Sequence, residues 1–286
     1  AARLGFQNLK TLSPLVPEKP QNEFFILAGG ATVNELRKPE WDQISEGVSI
    51  GINFWPIHPF APDLLSTEID GNAKASKFLN SLMAKPSLLE KAPYLLLLRP
   101  SWPPNPETLP DLPSSYTPRI KVYGRANVVT KKIENLETDL SRLLRSVVSG
   151  RLPTSVLPDN GSSVVRLTFF AIAQGFRTIV WVGVDQGSGH YFWTEPPIPS
   201  RYAEAARRVP RSSGTPHSTS LSLNRPFSND DYLRALVRVA RKVAGIQIYV
   251  SSANSNLASS VPVYPWDKAR AGRAHRDKLG LTTDSN

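Results

Sequence analysis

The 286-residue chain contains no cysteine, which excludes disulfides, thiolate metal sites and a cysteine nucleophile in one step. Histidine is scarce, at 4 residues, and no two of them have the spacing of a metal-ligating pair. No apolar run approaches the ~20 residues that span a bilayer. The N-terminal stretch AARLGFQNLK lacks the apolar core of a secretory signal and begins without methionine. A trimmed chain of cytoplasmic residence is the expectation. No G-x-G-x-x-G, G-x-x-x-x-G-K-[ST] or G-x-S-x-G motif occurs, so dinucleotide fingerprint, P-loop and serine-hydrolase elbow are all missing. No D-x-D-like acidic pair stands at a strand end, and Asp230-Asp231 instead opens a helix, where carboxylates complement the dipole. No metal site is expected, and only a substrate-bridged magnesium stays open.

What is present suits a globular protein. A hydrophobic content of 40% can bury a sizeable core, and the length fits one large domain or a domain with an inserted lid. The formal charge of +10 favours an anionic partner: nucleic acid, an acidic lipid surface, or a phosphorylated or carboxylated substrate. One basic group is Arg201, Arg207, Arg208 and Arg211; another is Lys268, Arg270, Arg273, Arg276 and Lys278. The plain alternative for either is a solvated face.

Short apolar runs alternate with amphipathic ones. Phe24 to Ala28, Val48 to Phe54, a run opening at Leu64 and Leu65, Tyr94 to Leu98, and Ile120 to Tyr123 read as strands. Leu136 to Val148 reads as a helix, and Asp230 to Ala244 as another, capped by Ser228 or Asn229, closed by Gly245 and followed by strand Ile246 to Val250. The most informative stretch is GSSVVRLTFFAIAQGFRTIVWVGVD, Gly161 to Asp185. Ser162 or Ser163 caps a helix over Val164 to Gln174, Gly175 fits the left-handed residue past its end, and Thr178 to Val184 is a strand. That strand is continuously apolar, the pattern of one covered on both faces. Helix, glycine, strand thus occurs twice, which predicts an α/β fold: a Rossmann-like, mostly parallel sheet with helices on both faces and an inserted lid.

Two stretches break the rhythm. Pro100 to Pro118 is too rich in proline for a central strand. Gln186 to Ser228 is almost as unpatterned, apart from a short helical piece near Tyr202 to Arg208, and it leaves from the carboxyl edge of the sheet, where open α/β sheets bind ligands. The expected organisation is a nucleotide-binding α/β domain over 1–185 and 218–286, with 186–217 as the lid.

The candidate site residues follow from this frame. The first strand ends in LAGGAT, where Gly29 and Gly30 either cradle a phosphate with the following helix or form a ligand-free turn. Asn53, a polar residue in an apolar strand end, either braces a loop or reads a base or sugar. His217, in SGTPHSTS, is either a general base or a solvated loop histidine. His58 and His275 have no assigned role.

In order, these residues resemble the metal-independent bacterial sialyltransferase family that uses CMP-sialic acid. Its T-S-G-x-x-x-x-x-x-A-x-x-x-G-[YF]-x-x-I-x-x-x-G-[IV]-D pattern is similar to Ser162 and Ser163 followed by Gly175, Phe176, Ile179, Gly183, Val184 and Asp185. Its G-N-G-P-S-like first turn corresponds to Ala28, Gly29, Gly30, Ala31 and Thr32, without the Asn. Asn53 looks like its donor-contacting Asn after the second strand, and Thr67 or Glu68 is the nearest match at the third. Tyr191 stands for the second of two phosphate-binding tyrosines; His190 is the substitute for the first. His217 falls in the region of the catalytic base, and IYVSSANSNLA carries Asn254, Ser255 and Leu257 at the positions of C-x-N-S-x-L.

The resemblance implies an inverting glycosyltransferase that moves a 2-keto sugar acid, sialic-acid-like or Kdo-like, from its CMP conjugate to a glycan hydroxyl. No cofactor is implied beyond the CMP-sugar as donor substrate. The implied partners are the CMP-activated sugar acid and a glycan acceptor, not nucleic acid, with peripheral contact to the inner face of the membrane through the basic C-terminal segment. The implied roles are catalysis by His217, Tyr191 and His190, and donor binding by Gly29, Gly30, Thr32, Asn53, Thr67, Glu68, Ser162, Ser163, Asp185, Asn254 and Ser255. The alternatives are a nucleotide-dependent diphosphokinase on the same scaffold and a noncatalytic anionic-ligand binder.

Overall fold

The computed structural model describes residues 7–8, 19, 22–68, 94–98, 120–127, 130, 132–152, 156–160, 162–187, 190–209 and 227–267. Nine strands form one sheet: β1 (Gln7–Asn8), β2 (Glu23–Leu27), β3 (Val48–Ile52), β4 (Leu64–Glu68), β5 (Tyr94–Leu98), β6 (Ile120–Asn127), β7 (Val156–Asp159), β8 (Thr178–Val182) and β9 (Gln247–Val250). The helices are α1 (Lys38–Glu46), α2 (Leu136–Val148), α3 (Ser163–Ala173), the short α4 (Ala203–Arg208) and α5 (Asn229–Ala244). Every ladder between these strands is parallel. The fold is α/β, as the alternation of strand and helix patterns predicts.

Strand order places the ligand edge. The order runs β1-β6-β5-β4-β3-β2-β8-β9, with β7 against β6. From β2 the chain steps one way across the sheet, through β3, β4, β5 and β6, whereas β8 and β9 lie on the other side of β2. The order reverses between β2 and β8, and the crevice beyond the carboxyl ends of two such strands is where open α/β sheets take ligands.

Period-two alternation distributes the strand residues between two apolar layers. Phe24, Ile26, Ile50, Ile179, Trp181 and Ile248 face Leu140 and Leu144 of α2, Phe169 of α3 and Leu233 and Leu236 of α5. Phe25, Leu27, Leu65, Val180 and Val182 face the other way, toward Ile44 of α1, Trp55, Phe192, Trp193 and Tyr202. With both faces covered, the strands have no polar side, which explains their unbroken apolar sequences. Fully burying side chains of this size contributes roughly 1.5–3 kcal/mol each. Within the first layer, Trp181 Nε1 donates to Thr168 Oγ1 (3.0 Å), so the indole is buried with its polar edge satisfied.

The helix boundaries match the capping chemistry closely. α2 spans the expected residues, and its Leu136, Leu140, Leu144 and Val147 form the buried stripe. α5 is capped by Ser228, which accepts from the Asp231 amide in a reciprocal capping box. α3 and α5 are followed by left-handed glycines, Gly175 at φ 89° and Gly245 at φ 65°. Ser162 is the residue before α3, yet its side chain makes no capping hydrogen bond. The strand expected from Thr178 to Val184 stops at Val182 because Gly183 turns to φ 67°.

Several elements depart from the sequence expectation. β6 continues four residues past Tyr123, and its second half, Gly124–Asn127, pairs with β7. β7 contains Pro158, which donates no hydrogen bond and is tolerated where, among the described residues, the strand pairs with β6 alone. After Gly30 the chain forms a short 3-10 turn over Ala31–Glu35 in place of an α-helix. The proline-rich 100–118 stretch, Arg211 and the basic group from Lys268 onward lie outside the described residues. No helix among the described residues is long and apolar enough to cross a membrane.

Candidate functional site

The β2–β8 crevice brings together residues far apart in sequence. Asp185, just past β8, receives the Thr32 amide on Oδ2 (3.0 Å) and the Thr32 hydroxyl on Oδ1 (2.5 Å). The Gly30 amide donates to the Gly183 carbonyl (2.8 Å). A side chain at Gly30 would collide with the Asp185 carboxylate and the Gly183 carbonyl, so glycine is needed for this close approach. The turn after β2 therefore does gather amides around an anion, but the anion is the protein's own carboxylate. The Thr32 amide is thereby engaged within the protein, while the expectation that Gly29 and Gly30 cradle a phosphate concerns a bound ligand. Of the amides from 28 to 33, only that of Gly29 has no partner among the described residues. Burial pushes the Asp185 carboxyl above the usual range, the Thr32 bonds hold against that rise, and nearby Glu35 adds to it.

Tyr191 reaches the same place from the segment after β8. Gly30 and Tyr191 form an antiparallel bridge, and the Phe192 amide donates to the Gly29 carbonyl (2.9 Å). The Tyr191 and Trp193 rings stack with centroids 4.2 Å apart beside Gly29. Phe192 and Trp193 are fully buried, so residues 191–195 and α4 belong to the second apolar layer. The rest of the expected lid, from 210 on, lies outside the described residues, and so does His217. His190 Nδ1 is buried with no partner among the described residues.

The remaining candidates divide between the edge and the scaffold. Asn53 follows β3 at φ 50°, a left-handed conformation that asparagine tolerates better than most residues. That requirement accounts for a polar residue at the end of an apolar strand, and its amide donates to the Ser66 carbonyl (2.8 Å). Thr67 is buried in β4, its Oγ1 without a partner among the described residues; Glu68 ends that strand, and only its backbone is described. The Ser163 hydroxyl accepts from Arg166 Nη2 (2.8 Å). Ser255 is occupied structurally, donating to the Val184 carbonyl (2.9 Å) and accepting from the Leu257 amide (3.2 Å). Asn254 Nδ2 donates to Glu35 Oε1 (2.9 Å), and Ser252 donates to the other oxygen of the same carboxylate. Glu35 thus ties the turn after β2 to the loop after β9.

Several of these positions carry no sequence signal. Glu35, Gln186, Asn160 and Asn229 are single polar residues in polar stretches, and only folding brings them to one edge. Among the described residues, no three His, Asp or Glu side chains converge to hold a metal ion.

His58 acquires a definite environment. It lies against Trp41 (4.7 Å between ring centroids), Trp55 (4.8 Å) and Phe192 (5.3 Å), and Nδ1 accepts the Phe60 amide (3.0 Å). Burial, with Arg201 adding repulsion, lowers its pKa to about 3. A lowered folded-state value means the unfolded chain takes up the proton first, so stability is lost as pH falls below the unfolded value of about 6.5. Between pH 7.5 and pH 5 this site is expected to cost ~1–2 kcal/mol. Asp185, raised rather than lowered, works in the opposite sense, so the comparison is made by variant: His58→Phe should reduce the acid-induced fall in denaturation midpoint. Equal falls in the two proteins would rule the assignment out.

No family model and no curated protein matches the chain. Among solved structures, the monofunctional alpha-2,3-sialyltransferase Cst-I from Campylobacter jejuni is similar over 93% of this chain and 98% of its own, at 14% identity and a TM-score of 0.49. The sialyltransferase CstII from Campylobacter jejuni, solved with the substrate analogue CMP-3FNeuAc, is similar over 85% of this chain and 87% of its own, at 14% identity and a TM-score of 0.47. CstII with a trisaccharide acceptor and CMP gives 85% and 86% coverage, 13% identity and a TM-score of 0.45. Likeness at this identity concerns the course of the chain and not its chemistry.

Proposed function

We propose that the chain is an inverting glycosyltransferase that moves a 2-keto sugar acid, sialic-acid-like or Kdo-like, from its CMP conjugate to a glycan hydroxyl. One juxtaposition supports this reading: the residues that carry the sequence resemblance, Gly29, Gly30, Thr32, Asp185 and Tyr191, meet at the reversal point of the sheet. The Gly29 amide and His190 Nδ1, neither with a partner among the described residues, supply polar groups beside that point.

In the proposed reaction the acceptor oxygen attacks the anomeric carbon from the face opposite the phosphate. The new C–O bond forms as the bond to the phosphate oxygen breaks, CMP departs with the electron pair, and configuration inverts. His217 takes the acceptor proton. Tyr191 and His190 hydrogen-bond the departing phosphate, a role electrostatic in kind and independent of a metal. Asp185 acts through Thr32 and Gly30, fixing the turn that carries the Gly29 amide. The segment 186–217, anchored on the sheet through Phe192, Trp193 and Tyr202, covers the donor and excludes water from the activated sugar. The basic C-terminal group gives peripheral attachment to an anionic membrane face, where the acceptor glycan is met.

A nucleotide screen by thermal shift tests this. CMP at ~100 times its dissociation constant should add about 2.7 kcal/mol of apparent stability, and transfer should survive excess chelator. Stabilisation by ATP or GTP but not by cytidine nucleotides, or activity abolished by chelator and restored by magnesium, would overturn the reading in favour of a diphosphokinase.

A further inference from the structure

Three carboxamides lie in series along the carboxyl edge of the sheet. The Ser162 amide donates to Asn160 Oδ1 (3.1 Å), Asn160 Nδ2 to Asn229 Oδ1 (3.2 Å), and Asn229 Nδ2 to Gln186 Oε1 (3.1 Å). They come from the ends of β7 and β8 and from the first residue of α5. The direction of the series is fixed at its origin. A backbone N–H can only donate, so Asn160 must present its oxygen to Ser162 and its NH2 to Asn229, and the same choice is forced on each amide in turn. The terminal group is the NH2 of Gln186, and no described residue accepts from it.

The anchoring of Gln186 exceeds what a turn needs. The residue is held at φ 47°, a conformation that glycine adopts at lower cost. Its carbonyl accepts from Asn256 Nδ2 (2.7 Å), and the Asn256 amide donates to the preceding carbonyl of Asp185 (3.2 Å). Asn229 is 1% exposed, so a carboxamide is buried to aim the next one, and hydrogen bonds in such a chain polarise one another toward a stronger terminal donor. Gln186 adjoins Asp185, which is tied to Thr32, while Tyr191 is bridged to Gly30. Gln186, through its neighbour Asp185, and Tyr191, through Gly30, thus both join the turn after β2.

We infer that Gln186 is a specificity-determining residue whose relay-oriented Nε2 donates to an anionic phosphate oxygen of the bound nucleotide. This rests on the nucleotide site proposed above, and it adds a donor from a position that the sequence resemblance leaves unassigned.

The test measures binding of CMP and of cytidine by calorimetry to the intact protein and to two variants. Gln186→Met keeps the length of the side chain and removes the donor; Asn229→Asp still accepts from Asn160 but no longer donates to Gln186. Gln186→Met should weaken CMP binding at least ~10-fold, the usual loss for a bond to a charged group, and leave cytidine binding within about 2-fold. Asn229→Asp should shift CMP in the same direction, and melting temperatures show whether each variant is folded. If Gln186→Met binds CMP as the parent does, or loses CMP and cytidine in parallel, the inference is overturned while the nucleotide site stands. A parent protein that binds neither compound overturns both.

Discussion

His217→Ala is expected to lower turnover by about two to four orders of magnitude while leaving donor affinity nearly unchanged, the signature of a general base that acts in the transition state. The prediction belongs to the proposed transfer reaction: an acceptor hydroxyl is a poor nucleophile unless its proton is taken as the new bond forms. His275→Ala is the appropriate control. His58 is not, because its ring is packed among Trp41, Trp55 and Phe192, and its removal would lower stability for reasons unrelated to catalysis. His190→Ala should cost less than His217→Ala, since Tyr191 replaces part of a lost phosphate contact. A His217→Ala enzyme with near-normal turnover, when chemistry limits the rate, would eliminate His217 as the base. A larger loss at His190 would move the centre of catalysis to the end of β8.

The second large effect is on stability. Arg166 and Asp159 form an ion pair at 2.8 Å, with side chains 1% and 0% exposed. Arg166 also donates to Ser163, joining the end of β7 to the first turn of α3. Removing one partner leaves the other charge buried without its ion pair, so Arg166→Met is expected to cost ~3–5 kcal/mol. The double variant Arg166→Met with Asp159→Leu should recover most of that loss, because two apolar side chains of similar bulk replace a pair whose attraction is largely spent on desolvation. Urea denaturation of the two singles and the double gives the coupling directly. A single variant within about 1 kcal/mol of the parent would mean that water reaches the pair. Asn160 follows Asp159, so loss of the pair should also loosen the carboxamide series at its origin.

Much of the architecture was legible without coordinates because its determinants are local. The α2 stripe repeats at helical spacing, Ser228 and Gly245 bracket α5, and the run from Thr178 to Val184 reads as a strand covered on both faces, formed over Thr178–Val182. β7 was not legible: four residues containing a proline carry no strand pattern, and the strand exists because β6 extends far enough to pair with it. Asn53 was visible as an anomaly, but its left-handed backbone, which explains it, is a property of the folded turn.

The candidate site shows the same division more sharply. By itself the sequence determined that the sheet is parallel and α/β in type, that Gly29, Gly30 and Asp185 fall at carboxyl ends of strands, and that thiolate chemistry is absent, since each follows from residue type and short-range spacing. Only the tertiary structure decided that β2 and β8 are neighbours and that the anion at the Gly30 turn is Asp185, 153 residues away from Thr32. Likewise it alone decided that Tyr191 folds back on Gly30 and that Asn160, Asn229 and Gln186 join in one directed series. The physical reason is that strand and helix preferences are set by backbone sterics and burial within a few residues, whereas partners for polar groups are chosen by strand order, which no local pattern encodes.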